Sequence, residues 1–191
     1  MCARAVALAA RPEGMPKTSD FQIVDIESND PADGEIQVKN ICMSVDPYMR
    51  GRMVDRKSYV PPFQIGEPLT GGAIGKVIKS AHPDFKEGDF VSSHWGWRDG
   101  FTARAEGIER LGEIVAPASE YLGAIGMPGM TAYAGLLEVG ALKDGETVFV
   151  SGAAGAVGSI VGQIAKLKNC HVIGLSLIHI SEPTRLRRIS Y

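Results

Sequence analysis

The chain has 191 residues, 20 Lys+Arg against 22 Asp+Glu, a formal net charge of −2 and 45% apolar residues, which excludes disorder as its general state and gives no electrostatic reason for a nucleic-acid partner. Three cysteines (Cys2, Cys42 and Cys170) at no metal-like spacing exclude a disulfide scaffold and a zinc finger. No apolar run approaches the roughly 18 residues needed to cross a bilayer; Ala5–Ala10 is too short for a signal-peptide core, so no membrane partner is expected and the default compartment is the cytoplasm.

The 23 Gly and 11 Pro exceed the usual combined share of about 12% and predict many turns. Residues 1–112 read as short strands: Arg4–Ala9, Phe21–Ile26, Ile36–Ile41, Gly72–Lys79, Asp89–Ser92 and Phe101–Ala105. Turn formers separate them, as at Asn29–Gly34 and Lys86–Asp89. Such a series points to a sandwich or partly closed barrel. After Pro117 the texture changes. Ser119 is placed to cap a helix running through Ile125, and Gly126-Met127-Pro128-Gly129 breaks it. Met130, Tyr133, Ala134 and Leu137 then recur at helical spacing. Thr147–Ser151 reads as a strand. Val157, Ile160, Val161, Ile164 and Ala165 form one apolar helix face, and Cys170–Gly174 begins another strand.

Between that strand and helix lies Gly152–Gly158. Ala153, Gly155 and Gly158 occupy the three positions of a GxGxxG turn, with Ala at the first. Gly155 has no side chain to hold a pyrophosphate off the backbone, and Gly158 lets the helix lie close to the strand. Amides at the helix start, including those of Ala156 and Val157, would meet the phosphates with help from the helix dipole. A Gly/Ala-rich helix simply packed on a sheet is the structural alternative.

Gly126–Ala134 (GMPGMTAYA) and Gly145–Lys166 (GETVFVSGAAGAVGSIVGQIAK) resemble the medium-chain dehydrogenase/reductase superfamily. Ser44–Met53 (SVDPYMRGRM) is similar to its zinc-independent branch of prostaglandin, 2-alkenal and curcumin reductases. The resemblance covers nearly all of residues 1–174. It implies a mixed fold: a GroES-like β-barrel domain over 1–118, then linker helices and the first part of a Rossmann α/β domain over 119–174. It also implies NADP(H) as cofactor and reduction of the C=C bond of a small enal or enone. A homodimer of the full-length protein fits the family. The other reading is a non-catalytic GroES-like binding module.

Several residues gain roles from this resemblance. Tyr48 is a candidate pocket wall beside substrate, by stacking or by its hydroxyl, with domain packing as the alternative. Trp95, with His94 and Trp97, could line an apolar cleft or pack its own loop. Met127 and Thr131 resemble positions beside the nicotinamide, against a plain helix break. Arg50 and Arg52 meet either cofactor phosphate or structural ion pairs. No metal is expected: zinc-dependent relatives carry a Cys where this chain has Met43, and Cys42 is one residue off.

Residues 175–191 (LSLIHISEPTRLRRISY) leave the family pattern and resemble a translated sequencing adapter. The expectation is a native sequence ending near Gly174, an inactive fragment, and an apolar helix face left poorly buried. NADP selection falls about 20 residues past the turn, beyond that point.

Overall fold

The computed structural model describes residues 2–58 and 60–176 and the backbone of 187–190. The chain forms two compact units, Met1–Ser119 and Glu120–Tyr191.

The first unit is rich in sheet. β1 (Cys2–Leu8) and β2 (Phe21–Glu27) form an antiparallel ribbon, with Cys2 opposite Glu27 and Leu8 opposite Phe21. Ala3, Ala5 and Ala7 alternate inward along β1, as the two-residue period of a strand requires. The chain then adds β3 (Glu35–Met43), α1 (Pro47–Arg52), β4 (Ala73–Ser80), β5 (Phe90–Ser93), β6 (Gly100–Arg104) and β7 (Glu109–Gly112). These five strands make an antiparallel sheet in the order β6-β3-β4-β5-β7. Val38 sits opposite both Val77 and Phe101, and Ile36, Val91 and Ile108 complete a buried cluster with them. A second cluster joins Leu8 of β1 to Met49, Met53, Phe63 and Leu69.

Two elements escaped the sequence reading. α1 follows no expected helix: Pro47 stands in its first turn, where a missing N–H is harmless, and Ser44 Oγ donates to Asp46 at 2.6 Å just before it. Met49 is its one buried residue, so six residues held by one anchor show no helical period. β7 is four residues, all of them exposed or half-buried, with no alternating pattern. Lys79, on β4, pairs with Asp30, and its ammonium holds that carboxyl below the ordinary carboxylate range.

The second unit is a partial α/β fold. The helix expected over 119–125 is only a 3₁₀ turn, Ala118–Leu122. α2 (Met127–Tyr133) follows and runs into a π-helical turn over Ala134–Val139. β8 (Thr147–Ser151), α3 (Ala156–Leu167) and β9 (His171–Ser176) form a parallel βαβ unit, with Phe149 opposite Ile173. β10 (Arg187–Ser190) pairs antiparallel with β9.

β9 extends two residues past Gly174. Leu175 and Ser176 continue β9, and the Leu175 carbonyl accepts from Ala153 N at 2.9 Å. A strand that closes the turn with its backbone uses two more residues whatever their side chains are. Residues 177–186 and 191 of the adapter-like tail lie outside the described residues. The large apolar residues of α3 are poorly buried, as expected. Its fully buried residues are Gly158, Gly162 and Ala165, whereas Ile160, Val161 and Ile164 are half-buried and Val157 is exposed. Small residues at this spacing bring the helix axis close to the sheet and lift the larger neighbours to its flanks.

Candidate functional site

The turn after β8 is held by its own backbone. Gly152 has φ +65°, a left-handed conformation that favours glycine. Its carbonyl accepts from Gly155 N at 2.8 Å, while Ala153 is fully buried. Gly155 caps α3 in an extended conformation (φ −77°, ψ 170°) and is exposed. The amides of Ala156, Val157 and Gly158 then open the helix. First-turn amides have no intrahelical acceptor and carry the positive end of the helix dipole.

The three small residues do different work. A Cβ on Gly158 would collide with the Gly152 carbonyl and lie 3.0 Å from Ala153 Cα. One on Gly155 would meet only Gly152 O, at 3.1 Å, and otherwise face open space. Gly158 therefore serves packing, whereas the space beside Gly155 is open. The seven-residue bend is a cradle that a ligand with acceptor oxygens fits, and pyrophosphate is such a group.

Met127 and Thr131 lie one turn apart on α2. Both are exposed, and Thr131 Oγ1 donates to the Met127 carbonyl at 2.8 Å. That bond occupies the hydroxyl within its own helix. Gly126 and Gly129 have a packing role the sequence reading missed. A Cβ at either would run into the carbonyls of Tyr121 or Ala124 in the preceding turn. The helix break is thus a close crossing of two backbones.

In the first unit Tyr48 lines a cavity of about 510 Å³, together with Arg50, Arg52, Arg56, Ser58 and Pro62. Trp95 does not border it. Its ring stacks on Phe101 at 5.5 Å between centroids, with the Arg98 guanidinium 4.9 Å from it. Burial pulls the Arg98 pKa down, which marks how far this cation is drawn into the loop. Trp97 adopts φ +59°, and its N–H donates to Met43 Sδ at 3.0 Å. The Trp95 and Trp97 side chains are thus partly engaged in packing, while His94 and an edge of Trp95 stay exposed.

Ion pairing of Arg50 and Arg52, one of the two readings above, is not found among the described residues. Arg50 Nη2 donates to Gly14 O, and Arg52 donates to Pro61 O and Thr70 Oγ1. Their partners are neutral oxygens because the short helix points both stems at adjoining loops. Arg56 was missed entirely; the signal was the cation-rich run Arg50-Gly51-Arg52…Arg56-Lys57.

Among the described residues, no three His, Cys, Asp or Glu side chains are grouped to hold a metal. Burial pushes the Cys42 thiol above its ordinary pKa, while Cys2 is exposed. The thiolate is the nucleophile. Iodoacetamide at neutral pH should therefore modify Cys2 well before Cys42, as read by peptide mass spectrometry. Equal rates would contradict the burial of Cys42.

No helix among the described residues is long and apolar enough to cross a membrane. The class is now defined by comparison with known proteins. Residues 4–111 match the family described as the N-terminal domain of oxidoreductase. The chain is 43% identical to the NADPH-dependent curcumin reductase of Escherichia coli (strain K12), over 88% of this chain and 49% of that protein. It is 46% identical to the 2-alkenal reductase (NADP(+)-dependent) of Nicotiana tabacum, over 84% and 48%. The crystal structure of CurA in complex with NADPH from Vibrio vulnificus superposes with a TM-score of 0.81 at 45% identity, over 90% of this chain and 51% of that one. The chain belongs to the zinc-independent branch of the medium-chain dehydrogenase/reductase superfamily. It spans about half the length of the curated relatives it matches.

Proposed function

We propose that this chain is the N-terminal half of an NADPH-dependent alkenal/enone reductase. In this reading the first unit is a GroES-like barrel carrying substrate contacts, and the second opens a Rossmann domain. The observation that carries it is the bend at Gly152–Gly158, seated between parallel strands with Gly155 open to a ligand. Relatives named for NADPH-dependent reduction support the choice of cofactor.

Amides of Ala156, Val157 and Gly158 hold the pyrophosphate, with Gly155 admitting it to the backbone. Met127 and Thr131 flank the nicotinamide from α2. NADPH bound there supplies the reducing equivalent for a C=C bond conjugated to a carbonyl. Negative charge develops on the carbonyl oxygen as that bond is reduced. Tyr48 forms the wall of the substrate pocket, and a hydroxyl aimed at that oxygen is worth roughly 3–4 kcal/mol. Trp95 presents its exposed edge to the apolar part of the substrate.

The test joins residues 1–174 to the C-terminal half of the Escherichia coli curcumin reductase. This chimaera should consume NADPH with enals and enones and leave saturated ketones untouched. Tyr48→Phe should lower kcat on the order of a hundredfold if the hydroxyl acts, whereas a change in KM alone would leave Tyr48 as wall. A folded chimaera silent across alkenals, enones and quinones would sink the reductase reading.

A further inference from the structure

The loop between β5 and β6, residues 94–99, is fastened at nearly every peptide by segments distant in the chain. His94 O accepts from Gly71 N at 3.1 Å, Gly96 N donates to Gly71 O at 2.9 Å and Val6 N donates to Trp97 O at 2.8 Å. Asp99 N donates to Arg4 O and Asp99 O accepts from Asn40 N, both at 3.0 Å. Arg98 reaches Gly96 O at 3.2 Å and Leu69 O at 2.9 Å. Inside this frame Trp97 holds φ +59°, a costly region for a bulky residue, and its indole N–H is buried with no acceptor among the described residues. Such strain persists only where surrounding contacts over-determine it, and it gathers at ligand clamps.

Asn40 is the side chain that closes the frame. Its Nδ2 donates to Trp95 O at 2.8 Å and to Arg98 O at 2.9 Å. These two carbonyls bracket Gly96 and Trp97, so one amide pins both ends of the strained stretch. Both amide hydrogens are thereby used, while Oδ1 is buried with no donor among the described residues. The opposite amide orientation would set Oδ1 against two carbonyls. The sheet makes room for this side chain: Gly75 stands opposite Asn40 on β4, and a Cβ there would lie 3.1 Å from Asn40 Oδ1. The register of β3 also shifts between Asn40 and Cys42, the kind of irregularity that re-aims a side chain beside a site. What the fastened loop displays is Trp95, whose ring stacks on Phe101 beside Arg98 and stays 39% exposed.

We infer that Asn40 is a positioning residue for substrate: by bridging the Trp95 and Arg98 carbonyls it holds the exposed Trp95 edge in the pose that meets the apolar part of the enone. The inference deepens the reductase reading and rests on it. Asn40 touches no substrate and acts only through Trp95.

The test is calorimetric titration of the 191-residue chain with benzylideneacetone, an enone with an apolar substituent. Asn40→Ala and Trp95→Ala should each weaken binding about tenfold, the scale of one lost apolar contact. The double variant should lose no more than either single one, because both changes remove the same contact. Trp95 and Trp97 are the two tryptophans of the chain, so their emission reports this loop alone. In Asn40→Ala acrylamide should quench it more readily. Asn40→Ser keeps one donor and should lose less; the same cycle run with it reads the coupling if the alanine variant does not fold. In the chimaera Asn40→Ala should raise the enone KM far more than it lowers kcat, with the NADPH KM unchanged. Wild-type affinity in Asn40→Ala, losses that add in the double variant, or no saturable binding by the parent chain overturns the inference. Titration needs no turnover. The expected coupling with a silent chimaera would therefore sink the reductase reading alone, and an active chimaera indifferent to Asn40→Ala would sink only the positioning role.

Discussion

Gly129→Ala is expected to cost the Glu120–Tyr191 unit about 3 kcal/mol of stability, the upper end of what overpacking imposes. The new Cβ would fall on the Ala124 carbonyl oxygen, 2.6 Å from its carbon and 3.2 Å from Ala124 Cα. These are backbone atoms, so no rotamer change relieves the clash. α2 would have to lift from the preceding turn and give up the bond from Gly129 N to Gly123 O, now 3.1 Å. Gly135, in the π turn that continues this helix, makes the control: an added Cβ there meets nothing within 4 Å. Gly135→Ala should be neutral or mildly stabilising, since alanine favours helix by up to about 1 kcal/mol over glycine. Urea unfolding followed by circular dichroism separates the two. A Gly129→Ala midpoint matching wild type would mean that the crossing of α2 over residues 121–124 is wrong.

The paired substitutions Gly158→Ala and Gly155→Ala should split stability from cofactor binding. Gly158→Ala drives a methyl into the Gly152 carbonyl and within 2.9 Å of the Gly152 carbonyl carbon. It should force α3 off the sheet, cost about 2–3 kcal/mol and destroy the cradle with it. Gly155→Ala meets one atom at 3.1 Å and keeps an ordinary backbone angle, so the fold should survive. Its methyl stands where the proposed pyrophosphate approaches. NADPH affinity in the chimaera should therefore fall about tenfold or more with little change in melting temperature, from loss of charge-assisted bonds. Fluorescence titration beside thermal unfolding reads both quantities. Gly155→Ala binding NADPH like wild type would remove the phosphate from this bend.

Much of this was legible in the residues because it depends on local chemistry. Strands β1 to β6 show themselves through turn formers and apolar alternation, and Ile36 and Val38 are buried in the core. The strand–bend–helix–strand order of the second unit follows from Thr147–Ser151, the glycines and Lys166 in the last helical turn. The motifs Ser44–Met53 and Gly126–Ala134 carried the superfamily, which comparison with known proteins bears out.

What escaped depends on atoms distant in the chain. α1 has one buried anchor, so no period marks it. The poor burial of the large apolar residues of α3 was expected, but the sequence did not show that Gly158 and Gly162 take the close contact beside Ala165. Both readings of Trp95 were open in the sequence, and only the fold shows that its ring stacks on Phe101 beside Arg98 while an edge stays exposed. The cavity beside Tyr48 exists only because α1 and the residues after it, among them Arg56, Ser58 and Pro62, come together, which no one-dimensional pattern records. Composition, turn chemistry and motif spacing are local properties and determined the class of fold and the superfamily. Which faces are buried, which donors lack acceptors and where a backbone tolerates no methyl were decided by tertiary packing, because each is a distance between segments that the chain order does not contain.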